Sequence, residues 1–313
     1  MNSMSSNKLP AVNISQRELK PGTSSWCSIR TQVRQALQEY GCFEAVFIDF
    51  SQDLHTAMFE ALKDLFDLPA ETKSSNNLDE PFQAYNGSSP HMPLSESMAI
   101  NHVLDTDRLQ AFTNLMWPPH GSSDFCESVQ SFVSQVADVE QMVKRMVFES
   151  FGVADNFDSM QESSCYLLRV MKYRAPQMNE NSLGFITHTD LSFVTILCQN
   201  DVNGLEIQTR DGEWISVMPS ASSFVVIIGD AFMAWSNGRL YSPPHRVVMN
   251  EGETRYSMGL FSFSKSIVQI PEQLVDEEHP LLFKPFDNIG LRHFVRSEQA
   301  QKVQSGIKAY CGL

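Results

Sequence analysis

The chain has 313 residues, of which 42% are hydrophobic, and its formal net charge at pH 7 is −14. Lysine and arginine are scattered rather than clustered, which argues against a nucleic-acid partner. The N-terminus lacks a signal-peptide pattern and no segment approaches the ~20 apolar residues of a membrane span, so we expect a cytoplasmic protein with no membrane partner. Six cysteines stand singly along the chain and predict reduced thiols.

The first half of the chain has the apolar spacing of helices. Residues 24–41 offer Ser24 or Ser25 as a cap, apolar residues at helical spacing and a glycine stop. A short strand and a second helix over 53–69 follow. The amphipathic pattern from Ser122 to Gly152 predicts a long helix with one face packed against a sheet.

The second half is rich in short β-type runs. In chain order these are CYLLRVMKY, SFVTILCQN, LEIQT, EWISVMP, SFVVIIGD, HRVVM and RYSMGLFSFS. Turn signals separate the runs, and Asn237-Gly238 is a candidate hairpin turn. Many short antiparallel strands predict a sandwich, jelly roll or barrel. We therefore expect a mainly β core with flanking helices.

Two polar residues precede one of these apolar runs. His188 and Asp190 stand two apart, so in an extended segment both side chains point to the same face. His245 opens another predicted strand, and a jelly roll could bring it beside the first pair. Two histidines and one carboxylate form the facial arrangement that holds non-haem Fe(II) and leaves positions open. By itself, however, a His-x-Asp sequence is more often a turn or a surface pair.

A possible anion site follows ten residues after His245. Arg255 and Ser257 alternate with Tyr256 and so share one face of a predicted strand. An arginine that faces into a barrel is costly unless an anion meets it. The guanidinium and hydroxyl groups together offer donors to a carboxylate. In isolation, the same two residues are more often a surface pair.

The order and spacing of HTD, HRV and RYS resemble the plant 2-oxoglutarate- and Fe(II)-dependent dioxygenase family. The likeness extends from LPAVNIS near the start to DEEHPLLFKPF near the end. Within the family, LRVMKY, VNGLEIQTRDGEWI and the terminal KAYCGL are similar to the branch with glucosinolate side-chain dioxygenases and steroidal-alkaloid hydroxylases.

The resemblance implies a double-stranded β-helix, or jelly-roll, core with an N-terminal helical portion and a C-terminal helix. A single dioxygenase domain would span 1–313. Its parts would be a mostly helical portion at 1–160, the jelly-roll core at 161–270 and a C-terminal segment at 271–313.

The resemblance also assigns roles to residues. The implied iron ligands are His188, Asp190 and His245, and the implied 2-oxoglutarate contacts are Arg255, Ser257 and Tyr173. The commoner family pattern has asparagine where this chain has Met171. Substrate candidates by position are Phe185, Thr187, Phe261 and Phe263. Residues 82–87 and 92–97 fall where relatives close the mouth of the site.

The reaction that the resemblance implies consumes O2 and 2-oxoglutarate and releases succinate and CO2, with ascorbate supporting activity. We expect hydroxylation of a small hydrophobic plant metabolite, such as a steroidal alkaloid, another alkaloid or a glucosinolate-type compound, by a monomeric enzyme. Desaturation, demethylation and ring formation are alternative reactions that the sequence does not distinguish from hydroxylation.

Other functions remain compatible with parts of the pattern. A non-catalytic jelly roll that binds small molecules would keep the barrel, and a hydrolase with a two-histidine, one-aspartate zinc site would ignore 2-oxoglutarate. A nucleic-acid demethylase uses similar iron chemistry, but the acidic balance of the chain argues against it.

Overall fold

The computed structural model describes residues 8–14, 19–47, 49–76, 84–90, 92–218, 220 and 223–313. The longer helices of this part of the chain lie in its first half. The helices are α1 (Ser24–Glu39), α2 (Gln52–Asp67), α3 (Ala70–Ser74), α4 (Thr106–Met116), α5 (Ser123–Ser150), α6 (Phe157–Glu162), α7 (Asp230–Trp235), α8 (Asn288–Phe294) and α9 (Gly306–Cys311).

The strands are concentrated in the second half. They are β1 (Ala11–Asn13), β2 (Cys42–Val46), β3 (Ser95–Asn101), β4 (Ser164–Tyr173), β5 (Leu183–His188), β6 (Val194–Gln199), β7 (Leu205–Gln208), β8 (Trp214–Ser216), β9 (Ser223–Ile228), β10 (His245–Val248), β11 (Arg255–Ser264), β12 (Ile267–Val268) and β13 (Phe286–Asp287). Each of the seven predicted β runs contains one of them.

The strands form two larger sheets. The first has seven strands in the order β1-β2-β9-β6-β11-β4-β3, and the second has four in the order β5-β10-β7-β8. Their facing sides pack together, since Leu197 and Ile227 of the large sheet share an apolar cluster with Leu205 and Ile207 of the small one. The mainly β fold with flanking helices is therefore confirmed. The first half also contributes three strands, β1 to β3, to the large sheet.

The long helix predicted between Ser122 and Gly152 is confirmed as α5. The Ser122 hydroxyl accepts a hydrogen bond from the backbone N–H of Phe125 at 3.3 Å and caps the helix. Helix α5 packs against α1 and α2 and against strands β6 and β11. Its Phe148 ring stacks on Trp235 of α7, with ring centroids 4.2 Å apart. This helix thus joins the N-terminal helices to the large sheet.

Two local predictions were wrong. The cap of α1 is Thr23, whose hydroxyl accepts from the backbone N–H of Trp26, because Ser24 is already helical. Asn237-Gly238 ends α7 instead of joining two strands. Both residues have positive φ, 52° and 78°, which suits a helix C-terminus as well as a hairpin turn. Because the preceding residues 230–235 form a buried helix and not a strand, the pair here lies at a helix end.

Candidate active site

Antiparallel pairing between two strands places the two histidines opposite each other. His188 ends β5 and His245 begins β10, and the two are direct partners in the ladder. Their ring centroids are 4.2 Å apart. Asp190 follows two residues after His188 in the connection to β6. The structure thus brings together the three residues that the sequence singled out.

The three side chains converge with their ligand atoms on one point. Nε2 of His188 lies 3.8 Å, and Nε2 of His245 3.7 Å, from Oδ1 of Asp190. One ligand atom from each residue lies within 4.8 Å of the other two. Two nitrogen donors and one oxygen donor at this spacing fit a single ion such as Fe(II) and leave its other positions open.

Backbone carbonyls fix the tautomer of both histidines. Nδ1 of His188 lies 2.9 Å from the carbonyl oxygen of Ile186, and Nδ1 of His245 lies 3.2 Å from that of Pro243. Since a carbonyl can only accept, Nδ1 carries the hydrogen in each ring and donates it. Each Nε2 therefore presents a lone pair toward the cluster, as a metal ligand requires.

The Asp190 carboxylate is oriented by a neighbouring hydroxyl. Thr195 Oγ1 donates to Asp190 Oδ2 at 2.7 Å, and the same hydroxyl lies 2.9 Å from Ser192 Oγ. The backbone carbonyl of Asp190 also accepts a bond from the N–H of Asp230 at 2.7 Å. These contacts occupy one carboxylate oxygen and leave Oδ1 facing the histidines.

The surroundings of the cluster keep His188 neutral. Burial, together with the nearby charge of His245, lowers the pKa of His188 to about 4. A neutral imidazole is the form that binds a metal. The ring also packs edge-on against Phe185, with centroids 4.8 Å apart, which further restricts its orientation.

The proposed 2-oxoglutarate residues lie together on the large sheet. Arg255 of β11 is directly opposite Tyr173 of β4, and its guanidinium lies 5.2 Å from the centre of the Tyr173 ring. Arg255 Nη1 donates to Ser257 Oγ at 3.0 Å, and Nη2 donates to Gln199 Oε1 at 2.6 Å. Arg255 is only 1% exposed, so these neutral partners surround a fully buried cation.

This environment fits an anionic cosubstrate. Arg255 Nε is buried and has no hydrogen-bond partner within the described part of the chain. Burial of the guanidinium lowers the pKa of Arg255, so an anion beside it would stabilise its charged form. Gly204 makes room for the arginine, because a Cβ there would lie 3.0 Å from Arg255 Cδ.

A cavity of about 640 Å³ connects the two groups of residues. His188, Asp190, His245, Arg255, Ser257 and Tyr173 all line it. Among the substrate candidates, Phe185, Phe261 and Phe263 also line it. Segments 86–87, 92 and 95–97 contribute to its wall, whereas Phe82 and Gln83 of the predicted mouth lie outside the described residues.

Thr187 has a different position from the other substrate candidates. It is exposed and does not line the cavity, although it is two residues from Phe185. The pairing of β5 with β10 contains register shifts beside Val247, and such irregularities break the strict alternation of sides. We therefore leave Thr187 out of the site.

Sequence reasoning missed several residues in or beside the cavity. Thr195 and Gln199 on β6 orient Asp190 and Arg255, but their roles depend on pairing across strands that no local pattern shows. Arg169 and Arg292 also line the cavity. Arg169 could have been found, because it alternates along β4 with Tyr173 as Arg255 does with Ser257 on β11.

Comparisons with known proteins agree with this arrangement. Residues 163–264 match the 2OG-Fe(II) oxygenase superfamily, and residues 9–120 match the N-terminal region described as "non-haem dioxygenase in morphine synthesis N-terminal". A relative from Arabidopsis thaliana, named "Probable 2-oxoglutarate-dependent dioxygenase AOP1.2", is 42% identical over 98% of this chain and 96% of its own length.

Solved structures show the same fold. The rice dioxygenase for auxin oxidation has a TM-score of 0.80 and 28% identity, covering 97% of this chain and 100% of that one. The Arabidopsis thaliana dioxygenase for auxin oxidation 1, in complex with 2-oxoglutarate, has a TM-score of 0.78 and 25% identity, covering 87% and 99%.

The fold and the site define an iron-dependent oxygenase that uses an oxoacid cosubstrate. The chain belongs to the 2OG-Fe(II) oxygenase superfamily and is a 2-oxoglutarate-dependent dioxygenase. Its cofactor is Fe(II) and its cosubstrates are 2-oxoglutarate and O2. No helix of the described residues is long and apolar enough to cross a bilayer.

Proposed function

We propose that His188, Asp190 and His245 hold Fe(II), and that the enzyme oxidises a small, largely apolar plant metabolite by hydroxylation. The observation that supports this most directly is the convergence of the two Nε2 atoms and Asp190 Oδ1 within 4.8 Å. The bound iron supplies activation of O2, coupled to decarboxylation of 2-oxoglutarate.

In the same proposal, Arg255 and Ser257 bind the distal carboxylate of 2-oxoglutarate, and Tyr173 packs against the guanidinium. Arg255 is prepared for this role because its hydrogen bonds to Ser257 and Gln199 fix the plane of the guanidinium in advance. A preorganised donor group loses little conformational freedom when the anion arrives.

The apolar part of the cavity supports a substrate with a hydrophobic body. Two apolar clusters contribute to its lining: Phe185 packs with Val247, and Phe261 and Phe263 pack with Leu191. A mostly apolar pocket with a few polar groups is typical of sites for small molecules. A steroidal alkaloid, another alkaloid or a glucosinolate-type compound fits this description. The solved neighbours from rice and Arabidopsis are described as acting in auxin oxidation, which adds auxin to the compounds to test.

The whole chain acts as one dioxygenase domain in this proposal, with the boundaries at 160 and 270 separating parts of a single unit. Strands β1, β2 and β3 support it, because they pair within the same sheet as β4, β9 and β11. We also propose that the protein is a cytoplasmic monomer. Light scattering, which measures its mass in solution, tests the oligomeric state.

Turnover tests the proposal. Purified protein is incubated in air with Fe(II), ascorbate and 2-oxoglutarate and a panel of plant steroids, alkaloids, glucosinolate precursors and auxin, while succinate and product masses are followed. We expect one compound to gain a single oxygen in step with succinate. Removal of the metal by a chelator should abolish this gain, and Fe(II) should restore it.

Three outcomes would contradict the proposal or part of it. Product formation without consumption of 2-oxoglutarate, supported by Zn²⁺, would indicate a hydrolase. Binding of a compound without succinate formation, in protein shown to contain Fe(II), would indicate a non-catalytic binding protein. An Asp190→Ala variant that keeps full turnover would remove this residue from the iron site.

A further inference from the structure

The turn that contains His188 and Asp190 lies at the junction of the two larger sheets. His188 ends β5 of the small sheet, and the chain enters β6 of the large sheet at Val194. Residues 189–193 between these strands belong to no helix or strand. Since sheet pairing does not fix their backbone, the position of Asp190 relative to His188 depends on contacts from elsewhere in the fold.

The connection between β9 and α7 supplies such contacts. Gly229 donates its backbone N–H to the carbonyl of Phe193 at 3.0 Å, and Asp230 donates its own to the carbonyl of Asp190 at 2.7 Å. Gly229 allows this close approach, because a Cβ there would collide with the carbonyl oxygen of Ser192. The start of α7 is therefore packed directly against the backbone that carries a proposed iron ligand.

The Asp230 side chain makes a second contact with the same turn. Thr189 Oγ1 donates to Asp230 Oδ2 at 3.0 Å. Thr189 is the residue between the two proposed ligands His188 and Asp190. Asp230 is only 5% exposed, and acidic residues are rarely so buried unless they are bonded. One residue thus holds the turn at two successive positions, the Thr189 hydroxyl and the Asp190 carbonyl.

Asp230 does not belong to the group of converging ligand atoms. Among the described residues, the atoms that lie within 4.8 Å of one another come from His188, Asp190 and His245. Asp230 therefore acts on the metal site through the backbone that carries two of the ligands. In this it differs from Thr195, which bonds the Asp190 carboxylate itself.

Another explanation for Asp230 needs only its own helix. It is the first residue of α7, and an acidic side chain near a helix N-terminus stabilises the helix. Ser242 also approaches the Asp230 carboxyl group. Neither of these roles involves the Thr189 hydroxyl, so variants of Thr189 distinguish the two explanations.

We propose that Asp230 is a positioning residue of the iron site, which holds the turn from His188 to Asp190 through the Thr189 hydroxyl and so sets the spacing of these two ligands. This inference rests on the proposed function. The contact keeps His188 Nε2 and Asp190 Oδ1 3.8 Å apart, within reach of one ion. Without it the turn gains other conformations, and their loss on metal binding lowers the affinity.

Anaerobic titration with Fe(II), followed by calorimetry, tests this role. Loss of an outer contact typically weakens metal binding by about 10- to 100-fold, and we expect that range for Thr189→Val, which keeps the shape of the side chain and removes the hydroxyl. Asp230→Ala keeps the backbone N–H and should lose a similar amount. Thr189→Ser retains a hydroxyl and should bind Fe(II) within about threefold of the wild type.

The double variant shows whether the two side chains act through one bond. If they do, adding Thr189→Val to Asp230→Ala should change the Fe(II) affinity by less than about threefold, because the partner of the hydroxyl is already gone. Thr31→Val is the matched control, since Thr31 is exposed and bonds the carbonyl of Cys27 within α1. It should keep the wild-type affinity.

Three results would overturn the positioning role. They are wild-type Fe(II) affinity in Thr189→Val, an equal loss in Thr189→Ser and Thr189→Val, and losses that multiply in the double variant. A purely structural role for Asp230 would give the first of these, together with a lower melting temperature of metal-free Asp230→Ala.

Asp190→Ala separates failure of this inference from failure of the proposed function. This variant should lose Fe(II) binding. Wild-type affinity in folded Asp190→Ala would contradict the proposed iron site as a whole. Loss of binding in Asp190→Ala, with wild-type affinity in Thr189→Val, would overturn the role of Asp230 alone.

Discussion

The chemistry of the site depends on the orientation of three side chains, the two imidazole rings and the Asp190 carboxylate. Each of the two histidines donates from Nδ1 to a carbonyl two residues earlier in the chain, at Ile186 and Pro243. This shared local geometry sets both rings without help from a distant residue. Asp190 differs, because its orientation depends on Thr195, which lies on the next strand.

Thr195 provides a test at this scale. Thr195→Val keeps the shape of the side chain and removes the hydroxyl that holds Asp190 Oδ2. Loss of such an outer contact typically weakens metal binding by about 10- to 100-fold, and we expect that range for Fe(II) measured anaerobically. Thr56→Val, on an exposed turn of α2, is the matched control. Unchanged Fe(II) affinity in Thr195→Val would show that Asp190 is oriented without this bond.

At the scale of elements, the site depends on pairing between strands that are distant in sequence. The β5–β10 ladder places His188 against His245, and the β11–β4 ladder places Arg255 against Tyr173. Asn237, just after α7, forms hydrogen bonds with the C-terminal segment. The Asn237 side-chain amide donates to the carbonyls of Leu274, His279 and Pro280, and its oxygen accepts from the N–H of Leu282.

Asn237→Ala should therefore destabilise the fold by about 2–3 kcal/mol, because the substitution removes all four of these hydrogen bonds and alanine tolerates positive φ poorly. Urea unfolding measures the change. Asn237→Gly, which accepts the backbone angle, should recover only part of the loss. Asn250→Ala, at an exposed residue, serves as the control. A loss below about 0.5 kcal/mol in Asn237→Ala would show that this anchor contributes little.

The sequence predicted most strands and helices, and it singled out the three residues of the histidine–aspartate cluster, but it did not predict the residues that contact them across strands. Two of the patterns involve only neighbouring residues and are visible in the sequence itself. They are the alternation along the β runs and the two-residue spacing of His188 and Asp190. Gln199 and Thr195 act across strand pairs, and register is set by the whole sheet. The Asn237-Gly238 turn was misassigned because left-handed residues suit both a hairpin and a helix end.

At the scale of the whole molecule, the cavity is lined by residues of both larger sheets and of the C-terminal helix α8. Its lining includes the histidine–aspartate cluster, Arg255 with Tyr173, and Arg169 with Arg292. Helix α8 adds one of these arginines, so the C-terminal segment takes part in the site as well as in the fold.

The most direct test of this account is anaerobic titration of Fe(II) into protein with 2-oxoglutarate, followed by the visible absorption of the Fe(II)–2-oxoglutarate complex. We predict one complex per chain in the wild type, no complex in Asp190→Ala, and at least about tenfold more 2-oxoglutarate required in Arg255→Met. Both variants should keep the wild-type melting temperature within a few degrees. An undiminished complex in folded Asp190→Ala would contradict the assignment of the iron site.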